Sequence, residues 1–255
     1  MKIIMAPSKN KNALTSIGKE EQKQVRESRQ GRAQAQDILF PAITKEVLHL
    51  AQGLSQEELG KTLKLKDDKL QAIYDFYQNY DKEPQGAAQD TYAGVAFDAL
   101  DFASLSREEL EFAQDHLCIL SALYGIVEPL TAIKAYRLDM ANSLGKGKSL
   151  YKIWSQAVND YLAQEDYIIN LASKEYSKLV THPHMYNLEF LDLVKGVWKT
   201  TSYQGKHMRG TMARYIIQEK ILDPDQLRNL SLEGYTYDKE NSSQYNLVYK
   251  RHIED

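Results

Sequence analysis

Lys2-Ile3-Ile4-Met5 is followed without a break by Ala6-Pro7-Ser8-Lys9-Asn10, and that change of character organises the reading of the whole chain. A short apolar run of strand type stops at a proline, so a polar Ser-Lys-Asn triplet stands directly behind a strand end. Two later stretches repeat the arrangement: Cys118 to Tyr124 stops at Gly125, and Tyr167 to Leu171 stops at Ala172-Ser173. Both read as buried strands emptying into polar loops. Further out, Glu189 to Val194 and Val197 to Tyr203 flank Lys195-Gly196 as a hairpin, and Gly234 to Tyr237 with Tyr245 to Lys250 read as a last strand pair. Strands that run in one direction gather the residues behind them at one sheet edge. Lys9, Tyr92, Arg137, Ser173 and Arg209 are therefore expected to line one cleft, although they are far apart in sequence.

The helices announce themselves by their starts. Leu54-Ser55-Gln56-Glu57-Glu58-Leu59 puts Ser at the N-cap, Glu three residues on and leucines at the two staple positions, and Leu105-Ser106-Arg107-Glu108-Glu109-Leu110 repeats it. Leu222-Asp223-Pro224-Asp225-Gln226-Leu227 is a variant with Pro in the first turn. The first helix reaches Lys64-Leu65-Lys66, and Asp67 caps a second that carries Leu70, Ile73, Tyr74 and Tyr77 on one face. In one reading this is a helix-hairpin-helix, whose second N-terminus and whose Lys61, Lys64, Lys66 and Lys69 meet a nucleic-acid phosphate. In the other it is an ordinary helical hairpin with its lysines in water. The turn lacks the glycines that let a backbone approach a phosphate, Gly60 lies back in the first helix, and Asp67 and Asp68 stand beside the lysines.

The chain of 255 residues is 43% hydrophobic and 26% charged, with 13 Gly and 6 Pro, which excludes collagen-like, low-complexity and disordered classes. There is no repeat and no Pro/Gly/Ser linker, so one domain over residues 1–255 is the simpler organisation. No apolar stretch approaches the roughly 20 residues that span a bilayer, and Met1 to Pro7 is too short for a signal-peptide core, so a soluble cytoplasmic protein is expected. The single Cys118 removes disulfides and cysteine-built zinc sites and reads as a buried thiol. The formal net charge of -3 conceals segregation. Residues 1–36 carry eight basic groups (Lys2, Lys9, Lys11, Lys19, Lys23, Arg26, Arg29, Arg32) against three acids, and residues 195–220 carry six against Glu219 alone. Residues 81–120 run the other way, with nine acids against Lys82 and Arg107. Two basic segments around one cleft would bind a polyanion; scattered solvated faces are the alternative.

Several smaller constellations bear on chemistry. Ser173 follows a strand but lacks a Gly-x-Ser-x-Gly elbow, so a helix N-cap is the simpler role. His182-Pro183-His184 has no third ligand at a recognisable spacing, and neither a metal nor a cofactor is expected. No glycine-rich phosphate loop of a standard kind is present. Arg209-Gly210 and Arg214, preceded by Lys206-His207, open the apolar run Tyr215-Ile216-Ile217. Arginines at a helix start oppose the dipole, so an anion to be bound explains them better than helix stability does. The 17 tyrosines, against 6 phenylalanines, suit polar stacking sites as well as core and interface positions.

The chain also resembles the YaaA peroxide-stress family. The residues that carry the resemblance run end to end. They are Pro7-Ser8-Lys9, Asp90-Thr91-Tyr92-Ala93-Gly94, Leu120-Ser121-Ala122-Leu123-Tyr124-Gly125, Glu128-Pro129-Leu130 and Tyr136-Arg137-Leu138-Asp139-Met140, then Ile169 to Tyr176, Arg209-Gly210 with Arg214, Glu233-Gly234-Tyr235 and Leu247 to Arg251. Ala6 stands where the family commonly has Ser, Asn10 where it has Thr, and Asp139 where it has Glu. The resemblance implies an α+β fold, a mixed sheet wrapped by helices, with the helix-hairpin-helix falling at Ser55 to Tyr77. It also implies a bacterial protein that limits oxidative damage, lowering free iron during hydrogen peroxide stress and binding DNA through a basic cleft.

Two functions from different classes follow. The first is a DNA-binding stress protein that takes duplex DNA with little sequence preference, because no helix carries a base-reading pattern. Its contacts would be Lys61, Lys64, Lys66, Lys69, Lys206, Arg209 and Arg214. The arginine pair is expected to outweigh Lys64 and Lys66, since the guanidinium fork holds phosphate bidentately and Asp67 and Asp68 offset the lysines. The second is an enzyme acting on a small phosphorylated ligand or a nucleic acid, with Lys9, Tyr92, Arg137, Ser173 and Tyr176 as catalytic candidates.

Overall fold

The computed structural model describes residues 1–9, 36–145 and 148–252. Asn10 and the basic residues Lys11, Lys19, Lys23, Arg26, Arg29 and Arg32 lie outside the described residues. After β1 (Lys2–Met5) come α1 (Pro41–Gln52), α2 (Gln56–Leu63) and α3 (Asp67–Gln78), then β2 (Gln85–Ala87), α4 (Ala88–Thr91), α5 (Val95–Leu100) and α6 (Arg107–His116). The middle of the chain forms β3 (Leu117–Ser121), β4 (Gly125–Val127), β5 (Ala132–Lys134), β6 (Ser143–Leu144), β7 (Lys148–Ser149), α7 (Leu150–Leu162), β8 (Ile168–Leu171) and α8 (Lys174–Ser177). The last third forms β9 (Met185–Val194), β10 (Val197–Lys199), α9 (Ser202–Gln218), β11 (Ser231–Leu232), β12 (Tyr235–Tyr237) and β13 (Asn246–His252).

The result is an α+β fold around a mixed sheet in the order β11-β12-β13-β9-β8-β1-β3-β4, with β10 added to β9. The five strands β13, β9, β8, β1 and β3 are mutually parallel, and antiparallel strands close both sides. At the centre, Ile3 lies opposite Leu117 and Ile169, and Met5 opposite Ile119 and Leu171. Every residue of β3 and β8 is buried, which is why these segments read as continuous apolar runs rather than alternating ones.

Both capping boxes form. Ser55 N–H donates to Glu58 Oε2 at 2.8 Å and Ser55 Oγ accepts from Glu58 N–H at 3.3 Å; Ser106 and Glu109 do the same at 2.6 and 3.3 Å. Lys195 and Gly196 turn the β9–β10 hairpin with φ of 52° and 75°, two consecutive positive values that match the twist of the flanking strands. The last strand pair is present as β12 and β13.

Four local expectations change. The strand expected from Cys118 to Tyr124 ends at Ser121, whose Oγ accepts the Tyr124 N–H at 3.0 Å and so turns the chain into β4. Gly125 is the pivot at φ 77°: a Cβ there would lie 2.6 Å from the Trp154 ring. The strand expected from Val197 to Tyr203 ends at Lys199, because Thr201 caps α9 by accepting the Gln204 N–H. Arg209 and Arg214 consequently lie inside a 17-residue helix rather than at its start. The start at Asp223-Pro224 yields only a single tight turn, Pro224–Leu227, since Arg228 is already extended at φ −73° and ψ 143°, and the Tyr249 hydroxyl donates to the Leu227 carbonyl at 2.9 Å. Asp67 is the first residue of α3 instead of its cap; it and Lys64 turn the α2–α3 connection at φ 53° and 55°. Gly60 has another use: a Cβ there would sit 2.7 Å from Leu70 Cδ2, so it sets how closely α2 and α3 pack.

Candidate functional site

Strand order places the site. From β1 the chain proceeds to β3 on one side, whereas from β8 it proceeds to β9 on the other, so the connections leaving these two neighbouring parallel strands diverge. A crevice opens beyond the carboxyl ends of strands at such a switch point. Here it is a cavity of about 620 Å³. Ser8 and Lys9 reach it from behind β1, Ser173, Glu175 and Tyr176 from behind β8, and Lys206 and Arg209 from α9. Ala93 to Phe97 form a further wall, fastened to the β1 loop by the Ala93 N–H, which donates to Ser8 Oγ at 3.1 Å. Gly94 makes the bend in that wall at φ 99°.

Arg209 is held in place by its neighbour. A Cβ on Gly210 would fall 2.0 Å from the Ala96 carbonyl oxygen, so only glycine lets α9 lie directly on the backbone of α5 and turn residue 209 into the cavity. Among the described residues the Arg209 guanidinium has no hydrogen bond and no ion pair, and burial alone pulls its pKa down from the ordinary arginine range. A half-buried cation without a counter-charge is a standing cost unless something else supplies the anion. Lys206, three residues earlier on the same helix, is exposed and also lines the cavity. Arg214 is placed differently. Its Nη1 donates to the carbonyls of Leu100 and Asp101 at 2.9 and 3.1 Å and lies 3.8 Å from Asp101 Oδ2, closing the carboxyl end of α5.

The opposite side of the cavity is mixed in charge. Asp139 Oδ2 receives Lys9 Nζ at 3.4 Å and Arg137 Nη2 at 3.3 Å, and Arg137 Nη1 reaches the Lys9 carbonyl at 3.4 Å. The Asp139 backbone is steadied by Asn142, whose amide also bonds Thr62 of α2 at 2.9 Å. Glu175 Oε1 accepts the Ala141 N–H at 3.3 Å. Ser173 occupies the N-cap position of α8, yet its hydroxyl makes no capping bond and borders the cavity instead. Tyr176 is buried, and that burial pushes its hydroxyl far above the ordinary phenol range, so it stays protonated.

Of the five residues expected to line one cleft, Lys9, Ser173 and Arg209 border the cavity, joined there by Tyr176 and Lys206, while Arg137 lies behind Lys9 and Asp139 and does not border it. Tyr92 stands behind the wall: its ring stacks on Phe97 at 5.1 Å, and its hydroxyl is 3.3 Å from that of Tyr136, itself 2.8 Å from Ser121 Oγ. Burial pushes Tyr136 up to about 12. Tyr77, equally buried, donates to the Arg137 carbonyl at 2.9 Å. These tyrosines are satisfied framework groups. Asp139 and Glu175 were not singled out from sequence as candidates; the only signal was their place in the blocks Tyr136 to Met140 and Ile169 to Tyr176.

Lys61, Lys64, Lys66 and Lys69 are exposed on the α2–α3 hairpin and do not border the cavity, and Lys61 is paired with Glu57 at 2.6 Å. His182 and His184 bond the carbonyls of Glu165 and Asp166, each at 3.0 Å, and no group of three metal-ligating side chains occurs among the described residues. Cys118 is fully buried, and desolvation pushes its thiol up to about 12, so thiolate, the species that reacts with peroxide, is scarce at neutral pH.

Fold and site together define a mixed-sheet α+β protein with a cationic cleft at the carboxyl edge of its central parallel strands. The chain belongs to the family described as peroxide stress protein YaaA, which it matches over residues 1–241. It is 33% identical over 220 residues to UPF0246 proteins from two strains of Rickettsia bellii, covering 82% of this chain and 89% of the relative. It is 30% identical over 257 residues to a UPF0246 protein of Fusobacterium nucleatum, covering 98% and 99%. No helix among the described residues is long and apolar enough to cross a membrane.

Proposed function

We propose that this peroxide-stress protein works in the cytoplasm by binding duplex DNA through the cleft, with Arg209, Lys206 and Lys9 receiving backbone phosphate. The observation that carries the reading is Arg209, a half-buried guanidinium that lines a cavity and has no partner among the described residues. A phosphate oxygen pair fits its fork and supplies the missing charge. The hairpin lysines Lys61, Lys64, Lys66 and Lys69 add a weaker, solvent-screened contact. Sequence preference is small because phosphate contacts carry no base information. The link to iron is electrostatic: every phosphate neutralised by a protein cation releases condensed counterions, ferrous iron among them, so less iron is left on the DNA to react with peroxide. The test is titration of duplex DNA at several salt concentrations. Affinity that falls steeply with salt and is weakened by Arg209→Ala supports the reading; affinity indifferent to both refutes it.

A second reading is an enzyme acting on a small phosphorylated ligand. It is favoured by the cavity of about 620 Å³, inside the ~300–1,000 Å³ range of small-ligand sites, and by the convergence there of Lys9, Ser173 and Tyr176. Loss of turnover at one of these positions with binding retained would select it.

A further inference from the structure

We infer that the cavity is built for a single nucleoside carrying one phosphomonoester. This rests on the reading of the Arg209 side as a phosphate site and adds what the far side contributes. The lining carries Lys9, Lys206 and Arg209 against Asp139 and Glu175, and Asp139 is shared between Lys9 and Arg137 behind it, so with Arg137 counted two positive charges are uncompensated among the described residues. A phosphomonoester carries about −1.5 to −2 near pH 7 and matches that surplus, whereas an internal phosphodiester supplies a single charge. The two signs are also separated in space. The cations without a partner among the described residues sit on α9, and the carboxylates sit behind β5 and β8, with apolar Met5, Val95, Phe97 and Leu171 among the lining residues.

That polarity selects the rest of the ligand. Glu175 has one oxygen on the Ala141 N–H and no cation bound to it among the described residues, so it can accept from the ligand's hydroxyl or amino groups. The apolar lining covers a ring system. A second phosphate on the ligand would meet Glu175 and Asp139, and a like-charge contact of that kind is a means of rejection. Nucleotides inside a strand have phosphate on both sides. The cavity therefore encloses a free nucleoside monophosphate or the phosphorylated end of a strand, whereas a continuous duplex places only one backbone phosphate on its Arg209 side and leaves the Glu175 side unfilled.

Calorimetric titration of the full chain with nucleoside 5′-monophosphates, inorganic phosphate, ribose 5-phosphate, unphosphorylated nucleosides and nucleoside 3′,5′-bisphosphates tests this. The monophosphate should bind at least about tenfold more tightly than each of the other four, the size expected for one charge-assisted contact. Arg209→Ala should weaken it by about tenfold or more and Arg209→Lys by less, because lysine keeps the charge and loses the fork. Glu175→Gln should narrow the gap between mono- and bisphosphate. Inorganic phosphate, ribose 5-phosphate or the bisphosphate binding as well as the monophosphate would overturn the inference. DNA binding that persists with no detectable mononucleotide binding would also overturn it, while leaving the DNA reading in place; loss of both would remove the phosphate site itself. In the supported case, displacement of the mononucleotide by a 5′-phosphorylated oligonucleotide but not by its 5′-hydroxyl form assigns a strand end, and displacement by neither assigns the free nucleotide.

Discussion

The two ends of the central strands β1 and β8 treat charge in opposite ways. At the amino end every cation is answered by the protein. The Met1 amino group meets Glu165 Oε2 at 2.5 Å, Lys2 Nζ donates to the Asp115 carbonyl at 2.6 Å, and Glu128 collects the Tyr161 hydroxyl and the Gln114 amide, each at 2.8 Å. At the carboxyl end, a few residues along the same strands, Arg209 is half-buried and unanswered among the described residues. A satisfied polar cluster contributes stability, and an unsatisfied cation forgoes it in favour of a ligand. The same contrast recurs along α9, where Arg214 is spent on the end of α5 and Arg209, five residues earlier, is left for the cavity.

Removing Glu128 breaks the comparison most severely. Glu128→Ala takes away the acceptor of the Tyr161 hydroxyl, one of the two acceptors of the Gln114 amide and the carboxylate 4.0 Å from Lys2 Nζ, and should cost about 3 kcal/mol of stability, read from urea unfolding, with DNA affinity of the folded protein unchanged. Gly210→Ala attacks the other end through packing. Its Cβ must push α9 off α5, which should cost about 2 kcal/mol in the same assay and weaken DNA binding together with stability.

The arginine pair sharpens the contrast. Arg209→Ala should lower DNA affinity by about tenfold with unfolding free energy unchanged or slightly raised, while Arg214→Ala should cost about 1 to 2 kcal/mol of stability and leave affinity within about twofold. Equal effects of the two on affinity would erase the distinction. Lys64→Ala with Lys66→Ala should reduce affinity by less than about threefold, since both lysines are exposed and screened. The smallest effect is expected at Cys118: with its thiol pushed up to about 12, mass spectrometry after peroxide treatment of the folded protein should find it unoxidised. Rapid oxidation would give the amino end a chemistry of its own.

Much of this was legible because it is local. The strand end at Ala6-Pro7, the capping boxes at Ser55 and Ser106 and the Lys195-Gly196 turn depend on neighbours within a few residues, and each formed as read. The stop signal at Thr201 is equally local, but the β-branched and aromatic run around it read as strand, and the misplaced boundary put Arg209 and Arg214 at a helix start. Once the helix is placed correctly, the dipole argument for an anion no longer applies to either residue, and the case for Arg209 rests on its lack of a partner among the described residues.

The amino-acid sequence by itself determined an α+β protein of the YaaA family whose polar residues follow buried strands, because side-chain periodicity, capping and turn chemistry act over one or two turns of chain. Only the tertiary structure decided that β1 and β8 are parallel neighbours with diverging connections, that Gly210 lies against Ala96, and that of two arginines on one helix the first faces a cavity and the second a pair of carbonyls. Charge is written into the sequence residue by residue. Whether a charge is answered is set by what the fold brings within a few ångströms of it, and that depends on contacts between residues a hundred positions apart.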